Sequence, residues 1–394
     1  MSNSISEFFS KSGIKKFKNG AKSIADKTAV RVVATSMVLA GAFGATKARS
    51  NGERVELKNP GPVTAFAVTE RGDTLCSYLA EKTDSASFAR LQNLVNNATK
   101  SRTGREVLKS ISDQNTVLTM GDAGAGTVGF FNPENNSICL NEHFGDAMLQ
   151  SCLVHEGKHS VQSFSLNNGI HSENTFYTNT LISRVMEAAA VATQTKFSYE
   201  LAQVGDSAAW KAMQKEHKDI ADTFEAGAKK YGKDKKKTMR ATMLAWYKDK
   251  SYAELYDRSL AQFHTSFAAN ASVNQLEGAF RKSINTDKLI RAVCQQGGKS
   301  YATDGNLLTT PETAYLSRDV YFQTKVASST FEGRTGRMDS SAAFMYPVEK
   351  DGTVSKLTYV QEAQQEARQV KQEKQERQAA KTQMVVNKLN MRTR

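Results

Sequence analysis

Apolar residues along this chain recur with two different spacings, and each change of spacing marks a change of element. From about Leu75 to Leu108 the period is helical: Phe88, Leu91, Leu94 and Val95 recur at three and four, and Val107, Leu108 and Ile111 continue into a second helix after Thr103 and Gly104. The texture then changes. Thr116 to Met120 alternates weakly, Gly121 to Gly126 is loop chemistry, and Thr127 to Phe131 and Ser137 to Leu140 read as paired strands around the turn Asn132-Pro133-Glu134-Asn135-Asn136. After that hairpin, Asp146 can cap a helix running to about Phe164, with Met148, Leu149, Cys152 and Leu153 on its buried side. A further helix is expected from roughly Asn179 to Leu201. Helical periodicity then continues to about Cys294, with Trp210, Met243, Trp246, Tyr252, Tyr256 and Leu260 among its core residues. Residues 297–360 have more Gly, Ser and Thr and weaker periodicity, and read as irregular or mixed. The pattern predicts an α+β protein that is predominantly helical, with a small sheet or hairpin before the helix at Asp146.

The ends differ from this body. Val32 to Ala45 (VVATSMVLAGAFGA) carries no charge and follows a basic stretch with Lys11, Lys15, Lys16, Lys18, Lys22, Lys27 and Arg31. It is shorter than the roughly 20 residues that cross a bilayer as a helix and matches the length of a signal-peptide apolar region. Export or membrane association through residues 1–50 is therefore favoured over a cytoplasmic placement. From Val360 to Lys381, Gln, Glu, Lys and Arg dominate and only Ala363, Ala367 and Val370 form an apolar stripe, so a solvated helix or disorder is expected rather than a coiled coil. The Lys233–Lys237 run reads as a solvated loop between helices, with a phosphate-binding patch as the sharper alternative. The expected organisation is a leader at 1–50, a linker at 51–74, a core at 75–200, a helical region completing the fold at 201–296, an irregular segment at 297–360 and a charged tail at 361–394.

Charge first suggests a nucleic-acid partner, because the 394 residues carry a formal +13. Its placement removes that suggestion: residues 1–50 hold +7 and residues 361–394 hold +4, leaving +2 for everything between. No nucleic acid is expected, and charge bears instead on delivery, anchoring or solubility. Cys76, Cys139, Cys152 and Cys294 are far apart with no C-x-x-C pair, which excludes a disulfide scaffold and a zinc ribbon and favours single buried thiols.

One segment points to chemistry. His155-Glu156-Gly157-Lys158-His159 is an H-E-x-x-H pattern on an expected helix, where residues four apart share a face and both imidazoles can reach one metal ion. Zinc suits two imidazoles and a carboxylate, with one position left for water. Glu156 follows the first ligand directly, so it is placed to act on a metal-bound water as general base rather than to bind the ion. A third ligand must come from elsewhere. Gln162 and Ser165 stand where the metzincin extension needs Gly and His, leaving Glu187, His171 and Glu173. Glu187 is the best of them, because a carboxylate amid Val185, Met186 and Ala188 to Val191 is costly unless it binds a cation.

These residues resemble the zincin-type metallopeptidases, and within them the glutamate-ligand branch. The order of Thr103-Gly104-Arg105-Glu106-Val107-Leu108, the stretch Thr116–Met120, the hairpin GFFNPENNSICLNE and the H-E-x-x-H helix is similar to that of uncharacterised bacterial metallopeptidases over residues 75–200. The resemblance implies a hydrolase with one zinc ion on His155, His159 and Glu187, Glu156 as catalytic base, and an edge strand near Phe130 to Leu140 that holds an extended peptide or protein substrate. No Asn-Glu-x-x-Ser-Asp pattern surrounds Glu187, so the thermolysin subgroup is not supported. A transition-state donor is also needed, and Tyr177, His171, Arg184 and Tyr199 are candidates. Two other classes stay open: a catalytically inactive zincin-like interaction protein, and a membrane or nucleic-acid binder acting through the basic tails.

Overall fold

The computed structural model describes residues 61–392, apart from 82, 83, 168 and 233. The leader and its apolar run lie outside the described residues. Two antiparallel strands come first, β1 (Val63–Val68) and β2 (Thr74–Ala80), paired from Val63 with Ala80 to Val68 with Thr74. Part of the stretch expected as linker thus forms a strand, and Leu75 starts no helix. Its neighbours Tyr78 and Ala80 alternate inward from β2, a period of two that the run Leu75–Leu79 conceals by being apolar on both faces.

Helices α1 (Ser85–Ala98) and α2 (Arg102–Asp113) come next, each with a side-chain N-cap, from Asp84 and Ser101. Strands β3 (Val117–Gly121), β4 (Gly129–Asn132) and β5 (Ser137–Asn141) complete a five-stranded sheet in the order β1-β2-β3-β5-β4. The central pairs β2/β3 and β3/β5 are parallel, whereas β4 turns back antiparallel on β5 and ends the sheet as an edge. The hairpin read from the turn residues is therefore present, with Phe131 opposite Ile138. One apolar cluster joins the sheet to the helices, with Leu91, Leu94, Val107, Leu108, Ile111, Leu118 and Ile138 in its interior.

Two long helices hold the H-E-x-x-H residues and Glu187. Helix α3 (Asp146–Leu166) and helix α4 (Phe176–Gln203) are both wrapped on nearly every side, so each has a weak one-sided pattern and polar residues inside the protein. At Gly157 a Cβ would stand 2.4 Å from Val107 Cγ1 and 2.9 Å from Ile111 Cδ1, so the glycine allows α2 to press against α3. The four helices α5 (Ala208–Glu216), α6 (Lys218–Tyr231), α7 (Lys235–Trp246) and α8 (Lys250–Asn270) wrap α4, burying Met213, Phe224, Met243, Trp246 and Leu260 in a second, larger cluster. The lysine run is thus only partly loop, because Lys235, Lys236 and Lys237 form the first turn of α7 under an Asp234 cap.

Short helices α9 (Val273–Gly278) and α10 (Thr286–Val293) lead into the segment expected to be irregular. That segment contains helix α11 (Arg318–Thr335), which packs along α8 and buries Val320, Thr324, Ala327 and Phe331. Three of its contact residues are Thr, Ala and Ser328, which hides the helical period from a hydrophobicity reading. The tail is a helix, α12 (Tyr359–Arg392), exposed along the charged stretch through residue 384. Among the described residues no helix is long and apolar enough to cross a membrane.

Candidate metal centre

Helix periodicity places His155 and His159 on the face of α3 that meets α4, and Glu187 on α4 faces them. Three small residues, Ala188, Ala189 and Ala190, come directly after Glu187 and are fully buried, which lets the two helices approach. His159 Nε2 lies 3.1 Å from His155 Nε2, and Glu187 brings Oε1 to 3.2 Å from His159 Nε2 and Oε2 to 3.4 Å from His155 Nε2. The four residues His155, Glu156, His159 and Glu187 are each at most 1% exposed.

The other ring nitrogens decide what this convergence means. His155 Nδ1 lies 3.0 Å from Gln194 Oε1, and His159 Nδ1 lies 2.9 Å from Gln162 Oε1. Both amides are oriented by their own nitrogens, since Gln162 Nε2 donates to Met186 O and Gln194 Nε2 donates to Ser151 Oγ. An amide oxygen only accepts, so each Nδ1 carries the hydrogen and each Nε2 of a neutral ring turns a lone pair inward. Lone pairs then converge with a carboxylate, whose Oε2 has no hydrogen-bond partner. Positive charge among these acceptors, such as a metal ion, would relieve their mutual repulsion. Ligand atoms about 2.1 Å from a tetrahedral ion stand about 3.4 Å apart, and the observed separations agree. The residues present therefore fit a metal ion, which His155, His159 and Glu187 could hold.

Glu156 turns the other way, toward the sheet edge. Its Oε2 accepts the Phe131 backbone N–H of β4 at 2.9 Å, and its Oε1 faces Cys152 Sγ at 3.9 Å. Burial raises its carboxyl to about 8, against the opposing pull of His155 and together with repulsion from Glu187. Burial raises Glu187 also, but positive charge facing it, from the two histidines when protonated or from a bound cation in their place, outweighs burial and holds that carboxyl low, at about 2. Two carboxylates within one site are thus driven to opposite ends of the carboxyl range. Close packing continues at Gly129 on β4, where a Cβ would meet Cys139 O at 2.7 Å and Cys152 Sγ at 2.8 Å. The motif's remaining positions are structural: Gly157 admits α2, and Lys158 is buried with its Nζ donating to Gln295 O at 2.7 Å.

The other sequence candidates lie elsewhere. His171 binds Asn167 O through Nε2, and Glu173 pairs with Lys282 at the surface. Arg184 is locked to Asp257, Tyr199 packs edge-on to Trp210, and Tyr177 lies beside Tyr346. Reading along the chain missed Tyr252 and Tyr256, one turn apart on α8. Burial and the nearby Glu187 carboxylate push both hydroxyls above the usual phenol range, which sets them beside the cluster. They are distant from it in sequence, and only their spacing of four on one helix face could have drawn attention. A cavity of about 30 Å³ adjoins the site, lined by Cys152, Gln194, Met213 and His217, and His217 also lines a surface cleft of about 1000 Å³ bounded by Trp246 and Tyr252.

Residues 68–302 match the model of the family described as "Putative metallopeptidase family (DUF6782)". No curated protein and no solved structure matches the chain.

Proposed function

This chain belongs to the DUF6782 metallopeptidase family, and from that premise we propose that it hydrolyses peptide bonds with one zinc ion on His155, His159 and Glu187, as a zincin-like enzyme of the glutamate-ligand type. The observation that carries this reading is the inward convergence of two Nδ1-protonated imidazoles on a buried, partly unsatisfied carboxylate. Zinc, once bound, supplies Lewis-acid polarisation of the scissile carbonyl and a water acidified toward neutrality. Gln194 and Gln162 orient the ligand rings and raise their basicity. Glu156, next to the ligand His155, is the carboxyl that would take the water proton and pass it to the leaving amine; burial holds it protonated near neutral pH, at about 8, and the charge of a bound ion would lower it toward the base form. Tyr256, whose hydroxyl hydrogen-bonds Glu187, and its neighbour Tyr252 are the hydroxyls that would stabilise the developing oxyanion.

An extended peptide would lie along the outer edge of β4, where Gly129 offers backbone groups not used in pairing with β5. The site is closed in this arrangement, with Phe131 N–H engaged by Glu156. Substrate admission then requires displacement of the Glu216–His217 junction between α5 and α6, which separates the small cavity from the large cleft. Burial of the cluster favours one alternative, an inactive zincin-like interaction protein whose metal is structural. Export or membrane contact through residues 1–50 belongs to either reading.

Metal analysis on wild type and Glu187→Ala tests the site. One zinc per wild-type chain and none in the variant is expected, whereas metal-free wild type would defeat both readings. Zinc retained with no cleavage of any peptide in a degenerate library would leave the inactive scaffold.

A further inference from the structure

Far along α4 from the metal cluster is a second cavity, of about 430 Å³, within the usual range of about 300–1,000 Å³ for small-molecule sites. It opens between the N-terminal end of α2, the C-terminal part of α4, and helices α6 and α7, and shares no residue with the metal cluster. Lys196 on its wall lies nine residues after Glu187, about 13 Å along the helix.

The interior is apolar and the rim is cationic. Phe224 and Met239 form the floor, and Val204, 57% exposed, stands at the mouth as an apolar side chain in contact with water. Around it are Lys100, Arg102, Lys196 and Lys235, against the single acid Glu200. Glu200 is already engaged: Oε2 accepts the Thr103 N–H at 2.7 Å and Oε1 lies 3.4 Å from Lys196 Nζ. Glu70 and Glu106 pair with Lys100 and Arg102 from outside the cavity, and Lys235 has no ion pair among the described residues. Arg102 and Lys235 are also the first residues of α2 and α7, so two positive helix ends meet at this rim. Lys196 is only 6% exposed, and its burial outweighs the Glu200 carboxylate 3.4 Å away, so a second anion beside it would be favoured.

An apolar chamber under a positive rim selects against neutral lipids, against nucleic acid and against a basic peptide. We propose that this cavity binds a free single-chain fatty carboxylate, its alkyl chain over Phe224 and Met239 and its carboxylate among Lys100, Arg102, Lys196 and Lys235. The site is independent of the peptidase reading.

Calorimetric titration of the full chain with decanoate tests it, with decanol and hexanoate as controls. Decanoate is expected to saturate at one per chain. Hexanoate, four methylenes shorter, should bind about a hundredfold more weakly, and Arg102→Gln/Lys235→Gln should lose about tenfold. Ala228→Phe fills the cavity and should abolish binding; if it fails to fold, Val204→Glu at the exposed mouth should repel the carboxylate and do the same. The proposal is overturned if decanoate does not bind, if decanol binds as tightly, or if a folded Ala228→Phe or Val204→Glu chain binds unchanged.

Discussion

Arg184 and Glu187 stand one turn apart on α4, both charged and both at most 1% exposed, yet their surroundings are opposite. Arg184 is closed: Nε and Nη2 donate to the two oxygens of Asp257 at 2.9 and 2.5 Å, Nη1 donates to Thr313 O at 2.9 Å, and Nη2 also donates to Tyr315 O at 2.8 Å. Four of the five N–H groups are bonded to acceptors and the pair is neutral. Around Glu187 two imidazole acceptors turn inward, the Tyr256 hydroxyl hydrogen-bonds the carboxylate, and Oε2 is left over. Burial of charge is common to both, so it does not identify function; the mismatch of donors and acceptors does. Arg184, attractive as a transition-state donor when read along the chain, spends four of its five N–H groups on Asp257, Thr313 and Tyr315 and is held in that network.

The largest expected effect falls on the mismatched cluster. Glu156→Gln should lower peptide hydrolysis by about 10⁴-fold while zinc stays stoichiometric, read by turnover assay and metal analysis together. Unchanged turnover would remove Glu156 as the base. On the matched pair the effect should be on stability alone. Arg184→Met leaves Asp257 buried and unpaired, at a cost of about 3–5 kcal/mol in urea unfolding, whereas Arg184→Met/Asp257→Leu should recover most of it. A single change costing nothing would erase the contrast.

Smaller effects sharpen it. Gln194→Ala removes the acceptor that fixes the His155 tautomer and should weaken zinc binding by about 10–100-fold in a chelator competition, without altering the Arg184 pair. His264 offers a third buried case, a histidine kept neutral by its burial, with Phe280 stacked on it and Asn179 Nδ2 3.2 Å from its Nε2. Burial lowers its pKa from 6.5 to about 3. The unfolded chain therefore binds the extra proton first, and stability is complete above pH 6.5 and falls as the pH drops toward 3. Between pH 7.5 and 5.5 this group alone should remove about 1.4 kcal/mol, and His264→Gln should flatten that part of the stability profile.

Much of this molecule was legible from local pattern. The hairpin is set by turn residues between alternating strands, and the pair His155 and His159 by a spacing that one helix turn converts into a shared face. The α3 helix forms where expected, but its N-cap is Gly145 with no side-chain bond, and Asp146, expected as the cap, lies inside the first turn. Glu187 was legible for a thermodynamic reason, being a carboxylate set in a small and apolar helical stretch. Where local pattern failed, packing partners were the cause. The strand at Leu75 is apolar on both sides, and α11 buries Thr, Ala and Ser rather than large apolar side chains.

What the chain itself determines, then, is the shared helix face of His155 and His159, because i to i+4 geometry needs only a helix, whereas the meeting of Glu187 with them is made by the packing of α3 on α4. Tertiary structure alone decided which nitrogen of each histidine faces inward, since Gln162 is a turn away and Gln194 is on another helix. It also set Glu156 against the sheet edge, brought Tyr252 and Tyr256 to the cluster, and closed Arg184 with Asp257. Apart from the His159–Gln162 contact, where the distant partner is the Met186 O that orients Gln162, those relations join segments separated by tens of residues. Hydrogen-bond direction and burial are properties of such meetings, and a linear pattern does not carry them.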